Sequence, residues 1–117
     1  MILPNLFSIA KEPASIAWKP FRPGVEIHRL YGDNKQGASA ALLKYEPGAS
    51  VPEHIHTGYE HIIVLSGAQS DQRGNHTAGT LAINPPGSSH NIVSKSGCIV
   101  LIIWEKPVQI KAEVKGD

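Results

Sequence analysis

At 117 residues the chain fits one domain with one hydrophobic core, so a single functional site is expected. Its 11 Lys and Arg residues nearly balance its 10 Asp and Glu residues, and this charge balance provides no positive field to hold a nucleic-acid backbone. No apolar run is long enough to span a bilayer, so we expect neither nucleic acid nor a membrane as a partner.

The first 24 residues carry four prolines and predict an irregular arm with one edge strand at about residues 15–19. We expect Trp18 in this arm to pack onto the main domain, which comprises residues 25–117. The apolar start is interrupted by Pro4 and Asn5 and has no positive leader, so no signal peptide is expected. Cys98 is the only cysteine, which excludes an internal disulfide and fits a cytoplasmic protein.

The rest of the chain shows short β-type runs that end at Gly, Pro or Asn, and it shows no long helical period. This pattern predicts an all-β fold, and many short strands at this spacing are typical of a sandwich or barrel. The candidate strands are residues 25–31, 40–46, 51–56, 60–65, 77–83, 90–94 and 99–105, with a final short strand at 108–110 before a charged end.

The strand predicted at residues 99–105 is apolar at both parities, so we expect both of its faces to be buried. In a small single-layered barrel, its outer face must be covered by the arm or by another subunit. The second possibility is our only sequence argument for a homodimer.

Two histidines and a glutamate form the first part of a predicted metal site. His54 and His56 are two residues apart in a strand, so their side chains point to the same face. Glu60 opens the next strand on the same parity as Ile62 and Val64. If that face lines the apolar interior, the carboxylate needs a partner there, because an isolated buried charge is costly. A cation supplies that partner.

His90 follows a turn at residues 85–89 and begins a strand, from which it can converge on the other three groups. Three imidazoles and one carboxylate suit iron(II), manganese, nickel, copper or zinc. Such a set is too rich in nitrogen for calcium or magnesium. The sequence therefore predicts one divalent transition metal ion.

The first part of this pattern resembles a known motif. Gly48 is followed after five residues by His54, after one by His56, after three by Glu60 and after six by Gly67. This spacing is similar to the first motif of the cupin superfamily at every fixed position.

The second part resembles the second cupin motif. Gly79 is followed after five residues by Pro85, after one by Gly87 and after two by His90. The Asn that usually ends this motif is here Ser94, a departure at a structural position and not at a ligand.

The resemblance implies a cupin jelly-roll β-barrel, or double-stranded β-helix, with a metal ion bound inside by the residues that match the motifs. It does not imply a substrate, because cupins include dioxygenases, isomerases, decarboxylases, storage proteins and sensor domains. The implied metal ligands are His54, His56, Glu60 and His90.

Other histidines have weaker claims to the site. His61 has the opposite parity to Glu60, so we expect it to face outward, and we assign neither His28 nor His76 to the metal.

Two tyrosines, Tyr45 and Tyr59, could reach the cavity. An aromatic residue on a strand more often packs in a core than takes part in chemistry, and we interpret both tyrosines in this way. Residues 69–73 predict a polar strand or hairpin. It could orient a ligand at the cavity mouth through Arg73 and either Gln69 or Gln72, but we favour a solvated hairpin.

The leading functional hypothesis is a metal-dependent enzyme, an oxygenase of the dioxygenase type acting on a small oxygen-rich molecule such as a diketone or enediol. No second general acid or base is evident, which favours metal-centred chemistry over isomerisation. The alternative is a non-catalytic sensor or regulator, as in the zinc-binding cupin domains of some anti-sigma factors. Storage is disfavoured because seed-type storage cupins are much larger and duplicated.

Overall fold

The computed structural model describes residues 1–110, and in this part of the chain ten antiparallel strands form one curled sheet. The strands are β1 Lys19–Arg22, β2 Val25–Tyr31, β3 Ser39–Tyr45, β4 Ala49–Ile55, β5 Glu60–Asp71, β6 Gly74–Thr77, β7 Leu81–Asn84, β8 Ser89–Ser94, β9 Cys98–Trp104 and β10 Gln109–Ile110. The strand order is β1-β2-β3-β9-β5-β8-β4-β10, and β6 and β7 also pair with β5. This architecture confirms the predicted all-β jelly-roll barrel.

Three predicted strands differ from the structure. The edge strand expected at residues 15–19 is displaced to β1, because a short helix occupies Pro13–Ser15. The strand expected at 77–83 is divided into β6 and β7 by a turn in which Gly79 has a φ of +91°, a backbone conformation that glycine favours. The strand expected at 60–65 continues as β5 to Asp71 and forms a hairpin with β6. The charged end predicted beyond residue 110 lies outside the described residues.

The predicted parity of β5 is confirmed. Glu60, Ile62 and Val64 are all at least 96% buried and face the barrel interior. Ile62 and Val64 belong to a core that also includes residues of β2, β3, β8 and β9. The inner face of β5 therefore combines one carboxylate with a packed apolar core.

A second, smaller core lies on the outer face of the sheet. Leu42, Leu65 and Ile99 are buried there, beneath apolar side chains of the N-terminal arm. The 3-10 helix Leu6–Lys11 supplies three of these side chains, and the other two follow a second 3-10 helix, Pro13–Ser15. No helix among the described residues is long and apolar enough to cross a membrane. The arm thus covers part of the outer face of β9, as the apolar pattern requires. The arm residues in this core are Leu6, Ile9, Ala10, Ile16 and Trp18.

Gly67 marks the closest approach between β5 and the turn before β9. Its φ is +71°, and a Cβ added there would collide with the carbonyl oxygen of Gly97 and lie 2.9 Å from Cα of Cys98. A glycine is therefore required by both conformation and space.

Candidate metal centre

Three strands bring the four predicted ligands together. His54 on β4 and His90 on β8 are direct cross-strand partners, and a bulge in β4 lies between Val51 and His54. His56 lies one residue past the end of β4, where its backbone N–H donates to the carbonyl of Ser88. Glu60 begins β5.

These four side chains form a compact, buried cluster. One candidate ligand atom from each residue lies within 4.8 Å of the corresponding atom of every other. The three imidazole rings are close to equidistant. The ring centroids of His54 and His56 lie 5.0 Å apart, and the centroid of His90 lies 4.6 Å from that of His54 and 4.7 Å from that of His56. All four residues are at least 96% buried.

Hydrogen bonds on the far side of each ring fix its tautomer. Nδ1 of His54 donates to the carbonyl of Pro52 at 3.0 Å, and Nδ1 of His56 donates to the carbonyl of Ser88 at 3.1 Å. Nδ1 of His90 donates to Oδ2 of Asp71 at 3.0 Å. Because a neutral imidazole has one N–H, each Nε2 keeps its lone pair free for a metal ion.

Two of the three inner nitrogens lack partners. Nε2 of His56 and Nε2 of His90 are buried without a hydrogen-bond partner. They lie 3.1 and 3.7 Å from Oε1 of Glu60, but neither contact has hydrogen-bond geometry. Since buried polar atoms are rarely left unpaired, these orphaned nitrogens fit a bound cation. The cluster could therefore hold one metal ion.

The electrostatics of the cluster favour the ligand forms of these groups. Burial lowers the pKa of His54 and of His90, which keeps their imidazoles neutral. Burial alone would raise the pKa of Glu60, but the adjacent imidazoles, His56 foremost, outweigh that effect and lower it. Neutral imidazoles and an ionised carboxylate are the forms that bind metal ions.

A cavity of about 190 Å³ opens onto the cluster. It is smaller than the roughly 300–1,000 Å³ of pockets that take drug-sized ligands, so its dimensions suit a small molecule. Most of its wall is apolar. His54, Glu60 and His90 line one side of it, and the other lining residues are Phe21, Arg22, Asn34, Leu43, Tyr45, Val51, Ile62, Ile92, Ile102, Trp104, Val108 and Ile110.

The sequence analysis missed two residues that contact the cluster from outside. Asp71 accepts the hydrogen bond from His90, and Nδ2 of Asn84 donates to Oε1 of Glu60 at 2.9 Å. Arg73 joins these two residues instead of facing a ligand in the cavity. Neither Asp71 nor Asn84 occupies a fixed position of the two motifs, so only the pairing of the strands could have identified them.

The remaining histidines and Ser94 are not part of the cluster. His61 is half-exposed and stacks on Tyr59 at 6.4 Å between ring centroids, and Nδ1 of His28 is 3.2 Å from the carbonyl of Ala17. His76 donates to Oδ1 of Asp71. Ser94, at the departure from the second motif, donates to the carbonyl of Ala68 at 2.6 Å, which is a structural role.

Comparison with known proteins gives a consistent classification. The ChrR cupin-like domain family matches residues 8–108. The anti-sigma-E factor ChrR of Cereibacter sphaeroides is 34% identical over 106 residues, which is 89% of this chain and 49% of that protein. The chain therefore spans about half the length of this curated relative.

Solved structures show the same fold. ChrR of Rhodobacter sphaeroides, in complex with SigE, matches with a TM-score of 0.66 and 31% identity over 76% of this chain and 48% of that one. An acetylacetone dioxygenase from Acinetobacter johnsonii matches with a TM-score of 0.70 and 16% identity over 78% of this chain and 69% of that one, a likeness of fold alone. The protein therefore belongs to the ChrR cupin-like domain family of the cupin superfamily.

Proposed function

We propose that the protein binds one divalent transition metal ion through His54, His56, Glu60 and His90, and that this centre binds a small oxygen-bearing organic molecule. The observation that carries the proposal is the pair of orphaned Nε2 atoms beside a buried carboxylate, at the wall of a cavity. The donor set suits iron, manganese, nickel, copper or zinc. When bound, such an ion would polarise a ligand oxygen and, if it is redox-active, supply electron transfer.

The chain's own residues would prepare this site. The three histidines hold their lone pairs toward the cluster through the hydrogen bonds at Nδ1. Apolar side chains such as Ile62 and Ile102 surround the cavity and limit the access of water. Burial raises the pKa of Tyr45, so its hydroxyl stays protonated and can donate a hydrogen bond to a ligand oxygen.

The finer proposal is an oxygenase of the dioxygenase type for a small diketone or enediol. Apart from the cluster itself, Arg22 and Tyr45 are the titratable groups among the described residues that line the cavity. Neither is a base at neutral pH. Chemistry centred on the metal ion is therefore favoured over a proton-transfer reaction, which needs a base of its own.

A second candidate function is a ligand- or metal-sensing regulatory cupin. The observation that favours it is the similarity to an anti-sigma factor over most of this chain. In this case the bound molecule would not be converted, and the protein's partner would be another protein.

A homodimer and a cytoplasmic location are also part of the proposal. The exposed side chains of Leu81 and Ile83 on the outer face fit a subunit contact.

One set of measurements tests these alternatives. The protein is purified without chelator, analysed for metal content, and then loaded separately with iron(II) and with zinc. Oxygen uptake and thermal shift are measured with small 1,3-diketones and enediols, and His90→Ala serves as the ligand-deficient control. Oxygen uptake that is lost in His90→Ala supports the oxygenase.

A thermal shift by these compounds without oxygen uptake, together with native zinc, supports the sensor. No bound metal in the purified protein and none after loading would refute the metal centre.

A further inference from the structure

Two of the four candidate ligands are held from outside by a continuous chain of hydrogen bonds. We propose that Asp71, Arg73 and Asn84 position His90 and Glu60, and that the Asp71 carboxylate makes His90 the strongest imidazole donor to the bound metal. This inference rests on the proposed metal centre and concerns residues at none of the fixed positions of the two sequence motifs.

His90 differs from the other two histidines in the partner of its outer nitrogen. His54 and His56 donate from Nδ1 to neutral oxygens, the carbonyls of Pro52 and Ser88 and the Ser88 hydroxyl. His90 donates to a carboxylate, Oδ2 of Asp71, at 3.0 Å. A carboxylate partner fixes the orientation of a ligating imidazole and raises its basicity, so Nε2 of His90 donates more electron density than its neighbours.

Asp71 is itself rigidly held. Its side chain is only 1% exposed, and it accepts hydrogen bonds from five groups on three residues. Oδ1 accepts from the backbone N–H of Arg73 at 2.8 Å and from Nε2 of His76 at 2.9 Å. Oδ2 accepts from Nη2 of Arg73 at 2.8 Å, from Nε of Arg73 at 3.3 Å and from His90. A carboxylate with this many donors cannot rotate without losing several bonds, so it holds the ring of His90 in one orientation.

Arg73 extends the chain to the second ligand. Its Nη2 also donates to Oδ1 of Asn84 at 2.6 Å, and because a guanidinium group only donates, this contact fixes the orientation of the amide. The amide nitrogen of Asn84 then faces Oε1 of Glu60 and donates to it at 2.9 Å. Asn84 and Glu60 are also cross-strand partners in the pairing of β7 with β5.

The topology explains why one hairpin reaches both ligands. β5 carries Glu60 at its first residue and Asp71 at its last, and Arg73 lies in the turn to β6. The hairpin packs against β8, which carries His90, through the pairing of Ser70 with Val93. The ends of a single long strand therefore carry one proposed ligand and the residue that orients another.

The test measures Co²⁺ affinity by competition with a chelator, together with the visible absorption of the Co²⁺ protein. The variants are Asp71→Asn, Arg73→Gln and, as a matched carboxylate-to-amide control, Asp33→Asn. Asp33 is exposed and accepts a hydrogen bond from the backbone N–H of Lys35. Melting of the chelated proteins shows whether each variant is folded.

We expect Asp71→Asn to bind Co²⁺ about 10- to 100-fold more weakly and to shift the absorption bands, because loss of an orienting partner typically costs this much. Arg73→Gln should also weaken Co²⁺ binding, but by a smaller factor, because His76 and the backbone N–H of residue 73 still hold Asp71. The Arg73 side chain is 44% exposed, so this variant should fold even if Asp71→Asn does not. Asp33→Asn should match the wild type.

A folded Asp71→Asn with wild-type affinity and wild-type absorption would overturn the positioning role. If Asp71→Asn does not fold, Arg73→Gln decides, and wild-type affinity in that variant would overturn the role. A wild-type protein that binds no Co²⁺ would instead refute the metal centre itself, so the two failures are distinguishable.

Discussion

Glu60 and Ile62 are neighbours on the inner face of β5 and should respond to mutation in opposite ways. Glu60→Gln keeps the side-chain volume and an oxygen that can accept the bond from Asn84, but it removes the negative charge. Removing one partner of a buried charge pair costs about 3–5 kcal/mol, which corresponds to a metal affinity lower by roughly 10²- to 4 × 10³-fold. The chelated variant should melt close to the chelated wild type, because the amide keeps the volume and the bond from Asn84, and removing a buried charge balances the lost attraction to the imidazoles.

Ile62→Ala should show the reverse behaviour. Ile62 is 4% exposed in the main core, and truncation of such a side chain costs about 2–5 kcal/mol of the free energy of unfolding. At about 4 °C per kcal/mol for a domain of this size, the melting temperature should fall by about 8–20 °C. Metal affinity should change much less than in Glu60→Gln.

The assays are melting of both variants in excess chelator and competitive metal titration of each. If Glu60→Gln proved the more destabilised in chelator while its metal affinity equalled that of the wild type, Glu60 would be a structural residue. The centre would then have three histidine ligands, and the argument from the charge of Glu60 would be refuted.

Three further predictions follow from the same geometry. Elemental analysis should find one transition metal ion per chain, and two tightly bound ions would contradict a single four-residue cluster. Burial lowers the pKa of His54 and of His90 below the value of about 6.5 that histidine has in an unfolded chain. As the pH falls below about 6.5, the unfolded chain binds protons before the folded chain does, so the chelated protein should lose stability progressively. A melting temperature that is constant between pH 7.5 and 5.5 would contradict this. Gly67→Ala should lower the stability more than Gly48→Ala does. Both glycines have a positive φ, so both variants share a backbone strain of about 1–3 kcal/mol, but only the Cβ at position 67 collides with Gly97. Equal melting temperatures of the two variants would show that this contact is unimportant.

The sequence predicted the cluster because its four members lie in short local patterns. His54 and His56 share a face through the two-residue period of a strand, and the parity of Glu60 with Ile62 placed the carboxylate inward. The convergence of His90 followed from the second motif, and the structure shows how it occurs, as a cross-strand pair with His54.

The supporting residues could not be predicted because they depend on pairing between distant strands. Asn84 meets Glu60 only through the register of β7 on β5, and Asp71 reaches His90 only because β5 continues past residue 65 into a hairpin. Arg73 was considered for a ligand-orienting role, but its contacts are with Asp71 and Asn84. The break at Gly79 was missed because the flanking residues favour a strand.

The N-terminal arm also has a kinetic consequence. Neither of its short helices contains a fully buried residue, so detaching the part of the arm that precedes β1 should cost far less free energy than unfolding the barrel. Each such opening uncovers Leu42, Leu65 and Ile99, an apolar surface on an otherwise native molecule. Proteolytic nicking and aggregation of the purified protein should therefore begin at the arm, at temperatures well below the melting of the barrel.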